Sequence, residues 1–225
     1  MVTRKMRVVL EIGPKGRRVV AGAIDWPGLD RSGSTDDLAL DRLSSYRPRY
    51  ARVAQLAGKA EAFAAQQSFE VVDRYPGNTS TDFWGIAHAP SGEERAPLPA
   101  EELEHRLAVL EACWAYFDQT VARITKELRP GARGAGRTRE QIIRHVYLNE
   151  PEQFSRKVGV RTPIESVLDP TKLAAHRAAY LDALRTYHAE GRMAGRTWTV
   201  PFLIRRTAHH MMDHAWEMED RGLSD

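Results

Sequence analysis

The hydrophobic and polar positions of the N-terminal part follow strand-like runs broken by turns. Residues 6–12 and 17–24 are two short β-rich runs, and the Gly/Pro turn between them predicts a β-hairpin. A helix is expected to begin in residues 34–37, where Ser and Thr precede two acids, because a hydroxyl caps the first turn and the helix dipole favours acids there.

Further along, Pro48 is expected to interrupt this helix, and a second helix is predicted over residues 50–65. Residues 69–74 alternate as a third strand. The order β-β-α-β predicts an α+β fold class for a small domain of residues 1–76, with helices on one face of an antiparallel sheet.

A stretch rich in Pro, Gly, Ser and Thr covers residues 77–98, and this composition predicts an interdomain linker. It contains the aromatic pair Phe83 and Trp84. We expect this pair to anchor the linker to one of the domains, with a lid over a pocket as the alternative.

In residues 99–225 the hydrophobic residues recur at intervals of three and four. This spacing predicts four amphipathic helices packed as an antiparallel bundle. Each helix has a start signal of a capping residue or an early proline. The predicted starts are Pro99 (a helix running to about Leu128), Thr138 (with a kink or break at Pro151), Asp169–Pro170, and Thr199 or Pro201.

Composition limits the classes of function. Hydrophobic residues make up 42% and charged residues 28% of the 225 residues, as in ordinary globular proteins. The net charge is +3, but acids are interleaved with the arginines, which argues against a nucleic-acid partner. A single cysteine, Cys113, fits a reducing, cytoplasmic compartment, and we expect it to be buried and unreactive. No segment resembles a signal peptide or a membrane span.

The last predicted helix carries the main candidate chemistry. His210 and His214 are four residues apart, so both side chains lie on one face of a helix and could bind one metal ion. A core hydrogen-bond network is the alternative. His209 points about 100° away and is not expected to join them.

The segments I-I-R-H-V-Y-L-N-E-P-E-Q-F and R-R-T-A-H-H-M-M-D-H-A-W-E-M-E-D-R resemble the DinB-like superfamily of four-helix bundles. This resemblance implies a divalent metal, often Zn or Ni, held by one histidine of the second helix and a histidine pair of the last. His145 matches the first position, with His210 and His214 as the pair. A register set by D-H-A-W-E instead pairs His214 with Met218, a soft thioether ligand.

Other residues are candidates for supporting roles. Glu150 or Asp213 could orient a ligating ring, and Arg205 and Arg206 could hold the carboxylate of a thiol substrate or be surface charges. The three remaining histidines of the bundle are predicted to be ordinary helix residues: His105, His176 and His188.

The N-terminal hairpin, the Pro-Gly turn after Trp26 and the capped helix resemble the HicB-like fold, and we expect Trp26 to pack on the sheet. Two functions follow from the resemblances. The first is an enzyme, either a mycothiol- or bacillithiol-dependent transferase or a metal-dependent hydrolase, acting on a small molecule. The second is a non-enzymatic binding or sensor protein with a degenerate bundle site. The DinB-like resemblance also implies a homodimer.

Overall fold

The sheet and the helices of the protein are seen in a computed structural model that describes residues 5–124, 127–130 and 136–222. The chain is a mixed α+β protein with one four-stranded sheet. The strands are β1 (Met6–Ile12), β2 (Val19–Ala23), β3 (Asp30–Gly33) and β4 (Phe69–Pro76). The α-helices in the described ranges are α1 (Asp36–Leu56), α2 (Ala60–Ala65), α3 (Thr79–Trp84), α4 (Gly92–Arg95), α5 (Ala100–Arg123), α6 (Arg139–Asn149), α7 (Pro170–Ala189) and α8 (Val200–Arg221).

The strand order in the sheet is β3-β2-β1-β4. The predicted hairpin is confirmed, since β1 and β2 pair antiparallel. The expectation of a purely antiparallel sheet is wrong, because β4 pairs parallel to β1. Two helices separate β3 from β4, and such a crossover returns the chain to the same end of the sheet. Strand β3 was not predicted, because its sequence Asp-Arg-Ser-Gly lacks the apolar alternation of a strand.

The predicted interruption at Pro48 is wrong, since α1 continues through it. Proline removes one backbone donor and leaves a carbonyl one turn earlier without its usual partner. Pro48 and Ser44 are both exposed, so water can satisfy that carbonyl. The helix predicted over residues 50–65 is instead divided by Gly58, which has a φ of 67°, into the end of α1 and the separate helix α2.

The start signals of the C-terminal helices are confirmed by the capping contacts. Thr138 and Gln141 form a capping box at α6, Asp169 caps α7 and Thr199 caps α8. Helix α5 ends at Arg123, earlier than expected, and its predicted continuation crosses residues 125–126, which lie outside the described part. The change predicted at Pro151 is confirmed, because α6 ends at Asn149 and the chain continues in a π-helical turn, Glu150–Phe154, and a 3-10 turn, Ser155–Val158.

The segment of residues 77–98 contains α3 and α4 and is held to the sheet by two acids. Buried Glu11 of β1 accepts hydrogen bonds from the Thr81 hydroxyl at 2.6 Å and the His88 amide at 2.9 Å, and Asp82 accepts from three backbone amides of the β1–β2 turn. The prediction that Phe83 and Trp84 anchor the segment is wrong, since they are 73% and 67% exposed.

Buried side chains from the sheet and from the long helices form one contiguous cluster. Trp26 packs in it as expected, with 1% exposure, and its indole N–H donates to Gln66. Helix α8 contacts α5, α6 and α7, and its residues 200–209 are all buried. Independent folding of residues 1–76 and 99–225 stays a prediction. Among the described helices, none combines the length and apolar character needed to cross a membrane.

Replacing Glu11 with alanine is expected to lower the free energy of unfolding by about 3 kcal/mol, because it leaves several buried donors without an acceptor. Chemical denaturation of the variant and of Glu70→Ala measures the effect. Glu70 lies on the exposed surface of the neighbouring strand, so its variant should remain within about 0.5 kcal/mol of the parent protein. Equal stability of the two variants would contradict the anchoring role.

Candidate metal centre

Three histidines from two helices converge at one point. His145 lies on α6, and His210 and His214 lie on α8. One ring nitrogen from each is within 4.8 Å of the other two, and every pair of ring centroids is 4.9 Å apart. The Nε2 atoms of His145 and His210 are 3.1 Å apart. The three side chains could therefore hold one metal ion.

The helical spacing on α8 determines which side chains join this cluster. His210 and His214 are one turn apart and face α6 together. Met218, the second ligand in the other sequence register, is fully buried, and its thioether is a soft ligand that suits Zn or Ni poorly. His209 stays outside the cluster, as its angular position predicts.

Burial keeps His145 and His210 in the protonation state that binds metals. Desolvation, followed by the charge of His214, lowers the pKa of His145 to about 4. The same two causes, joined by His145, lower the pKa of His210 well below its usual value. A metal binds the neutral imidazole, and both rings are neutral at physiological pH. Protons therefore compete with a metal at these two rings only in acid.

The outer nitrogen of His214 is held by a carboxylate. Its Nδ1 lies 2.8 Å from Oε2 of Glu217, and Glu217 accepts a further hydrogen bond from Arg221. An ionised carboxylate accepts only, so Nδ1 of His214 carries a proton and Nε2 is the ring nitrogen that remains for a metal. This carboxylate–histidine arrangement orients metal-binding rings in many proteins.

His145 has a different partner. Its Nδ1 lies 3.1 Å from the side-chain nitrogen of Asn149, which places the ring proton at Nε2, directed at His210. A metal at Nε2 requires that proton at Nδ1 instead, so the Asn149 amide would give up this contact and keep its 2.7 Å hydrogen bond to the His145 carbonyl. Nitrogens on a tetrahedral zinc are about 3.3 Å apart. The ring nitrogens of the three histidines lie within 4.8 Å of one another, so no two of them need to approach by more than about 1.5 Å. The donor set fits a metal after this small adjustment.

The acids proposed to orient the rings have other partners. Buried Glu150 binds Arg177 through both carboxylate oxygens, and no contact joins it to the three histidines. Asp213 is exposed and lies 3.4 Å from Arg31. Glu217, which is absent from the candidates named from the sequence, contacts His214 instead. Its position three residues after His214 was the available signal, since residues three apart are neighbours on a helix.

The two arginines of α8 differ from each other. Arg205 is 1% exposed and pairs with Glu94 and Asp30 at 2.7 Å each, so the prediction that it holds a substrate or lies on the surface is wrong. Arg206 is also buried, but its Nε and Nη1 atoms have no hydrogen-bond partner among the described residues.

The other histidines and Cys113 lie outside the three-histidine cluster. His176 bonds Thr162 at 2.8 Å, His105 bonds the Asp25 carbonyl at 2.8 Å, and His188 lies in the last turn of α7. Cys113 is buried as expected, and burial raises the pKa of its thiol, which disfavours the reactive thiolate.

Comparisons with models of protein families, with curated proteins and with solved structures gave no match to this chain.

Replacing Glu217 with glutamine is expected to weaken metal binding about 10-fold, because it removes the charge that orients and polarises His214. Competition with a chromophoric chelator measures the dissociation constant. Glu140→Gln, at an exposed position of α6, is the control and should bind as tightly as the parent protein. An unchanged dissociation constant for Glu217→Gln would remove this residue from the site.

Proposed function

We propose that the protein is a metal-dependent enzyme of the DinB-like class that acts on a small molecule. In this proposal His145, His210 and His214 hold a divalent Zn or Ni ion. The convergence of these three imidazoles carries the proposal. The likeness of the α6 and α8 sequences to the DinB-like superfamily supports it.

The ligand chemistry favours a catalytic centre over a purely structural one. Structural zinc sites have four protein ligands, whereas catalytic sites have three and keep one position open. Three histidines are the donors within reach of one another in the described ranges. The rings of His145 and His210 are partly exposed, so a small molecule can approach the fourth position.

A metal at this position supplies Lewis-acid chemistry: it lowers the pKa of a bound thiol or water so that the conjugate base is present at neutral pH. The chain itself contributes the neutral imidazoles and the Glu217 carboxylate that holds His214. With a low-molecular-weight thiol such as mycothiol or bacillithiol, the reaction is thiol transfer to an electrophilic carbon. With water, it is hydrolysis.

A second candidate is a metal-binding sensor without turnover, in which the N-terminal part serves as a HicB-like binding module. The buried Cys113 favours it, since that thiol is not available as a nucleophile. The two candidates share the metal and differ only in activity.

The purified protein is expected to bind about one equivalent of Zn or Ni, and this binding should raise its melting temperature by mass action. His145→Ala and His210→Ala should each lose the metal, because two remaining imidazoles hold it poorly. Elemental analysis and thermal unfolding with and without a chelator measure both effects. His188→Ala is the matched control on α7 and should retain the metal. A folded parent protein that binds neither metal would refute the proposal.

If the protein is an enzyme, the metal-loaded form should consume mycothiol or bacillithiol in the presence of an alkylating electrophile that releases a halide, or hydrolyse an activated ester. His210→Ala should reduce the rate at least 100-fold, while His188→Ala should not change it. Loss of thiol and formation of product are followed together by chromatography. Stoichiometric metal binding with no turnover in either assay would favour the sensor.

A further inference from the structure

Arg205 and Arg206 are adjacent on α8, but they differ in whether their side chains meet acidic partners. Arg205 satisfies its buried charge with Glu94 and Asp30. Arg206 is 8% exposed, yet its Nε and Nη1 atoms meet no acceptor within the described part of the chain. Burial lowers the pKa of Arg206 to about 10, which still leaves it protonated at neutral pH. Two of the three guanidinium nitrogens of Arg206 are therefore buried without a direct partner among the described residues.

Such a group is strongly unfavourable for folding unless something compensates it. Replacing it with an apolar side chain would relieve the protein of that penalty. Buried polar groups that stay unpaired mark sites where a water, an ion or a ligand binds. Arg206 is thus a candidate binding residue on energetic grounds, independent of any family resemblance.

Residues near Arg206 provide further hydrogen-bond donors. Arg206 and His209 are three residues apart on α8, so their side chains are neighbours on one face of the helix, and the charge of Arg206 also lowers the pKa of His88 in the segment of residues 77–98. Nε2 of His88 and both ring nitrogens of His209 also have no partner in the described structure. An imidazole carries at least one ring N–H in either protonation state, so His209 presents an unused donor beside Arg206, and Nε2 of His88 is a further unpaired nitrogen.

The acids near Arg206 are already engaged. Asp30 gives one oxygen to Arg205, and the oxygens of Glu11 accept from Thr81 and from backbone amides. One carboxylate oxygen, Oδ2 of Asp30, remains unpaired, and it makes no ion pair with Arg206. Unused donors therefore outnumber unused acceptors, and this favours an anion over a cation.

We propose that Arg206, assisted by the ring N–H groups of His88 and His209, binds an oxyanion of the substrate, either a carboxylate or a phosphate. This inference rests on the proposed function, because it assigns a substrate class to the three-histidine centre. Arg206 precedes His210 by one turn of α8, so a molecule held by its anionic end extends toward that centre. Exposed Arg137, whose charge also reaches His145 and His210, adds positive potential there.

The test uses the metal-free full chain and two probes, sodium acetate and inorganic phosphate, at constant ionic strength with chloride as the reference. Calorimetric titration and thermal unfolding report binding. One or both probes should bind and raise the melting temperature, and Arg206→Met should weaken that binding about 10-fold to 100-fold, the loss expected for hydrogen bonds to a charged group. Preference for acetate assigns a carboxylate, and preference for phosphate assigns a phosphate.

Two controls separate binding from folding. Arg185→Met, at the surface of α7, should bind the probes like the parent protein. Without a probe, Arg206→Met should be at least as stable as the parent protein. Arg205→Met should be much less stable, because it leaves the buried Asp30 and Glu94 without their partner. Arg206→Lys keeps the charge and should retain part of the probe binding. It replaces Arg206→Met in the test if the methionine variant does not fold.

The outcomes distinguish this inference from the proposed function. Loss of probe binding in Arg206→Met without any metal binding by the parent protein would support the anion site and refute the metal centre. Metal binding by the parent protein with unchanged probe binding in Arg206→Met would overturn the anion site alone. Failure of both probes to bind the parent protein would mean that water satisfies Arg206, and it would also overturn the inference.

Discussion

The ion pairs of Arg205 are the contacts on which the orientation of α8 depends. This side chain binds Asp30 at the edge of the sheet and Glu94 in α4, and its Nη2 lies 3.1 Å from the Tyr75 hydroxyl of β4. A buried ion pair adds little net stability compared with apolar packing, but breaking it is strongly unfavourable. It therefore specifies one rotation of the helix. His210 lies about 140° around α8 from Arg205, so a helix that turns Arg205 to the sheet turns His210 toward α6.

Local signals were sufficient to predict the elements whose ends are determined by neighbouring residues. Thr138 and Thr199 begin helices through contacts three residues away, and such short-range hydrogen bonds can be inferred from sequence. Strand β3 could not be predicted, because it depends on pairing with β2 and on the ion pair of Asp30 with a helix 175 residues later. The continuity of α1 through Pro48 likewise depends on which side of the helix faces water.

The same distinction applies to the candidate site. The spacing of His210 and His214 indicated that both lie on one face of α8, because residues four apart share a face in any α-helix. Arg205 and Arg206 could not be separated by sequence, since they are identical neighbours and differ only in which tertiary partners they meet. Glu217 is an intermediate case. Its distance along the chain from His214 permits a contact, but burial and Arg221 determine that its carboxylate faces the ring.

A second buried network fixes the other half of the site. The π-helical turn after α6 places Glu150 in the interior, where Arg177 of α7 binds it and also binds Asp118 of α5. Asp118 accepts a hydrogen bond from Tyr147 of α6, so α6 is tied to two neighbouring helices within one turn of His145. The networks of Arg205 and Arg177 hold α8 and α6 through side chains that are not metal ligands. The three imidazoles are consequently brought together by the fold itself, and binding of a metal need not supply the free energy of folding.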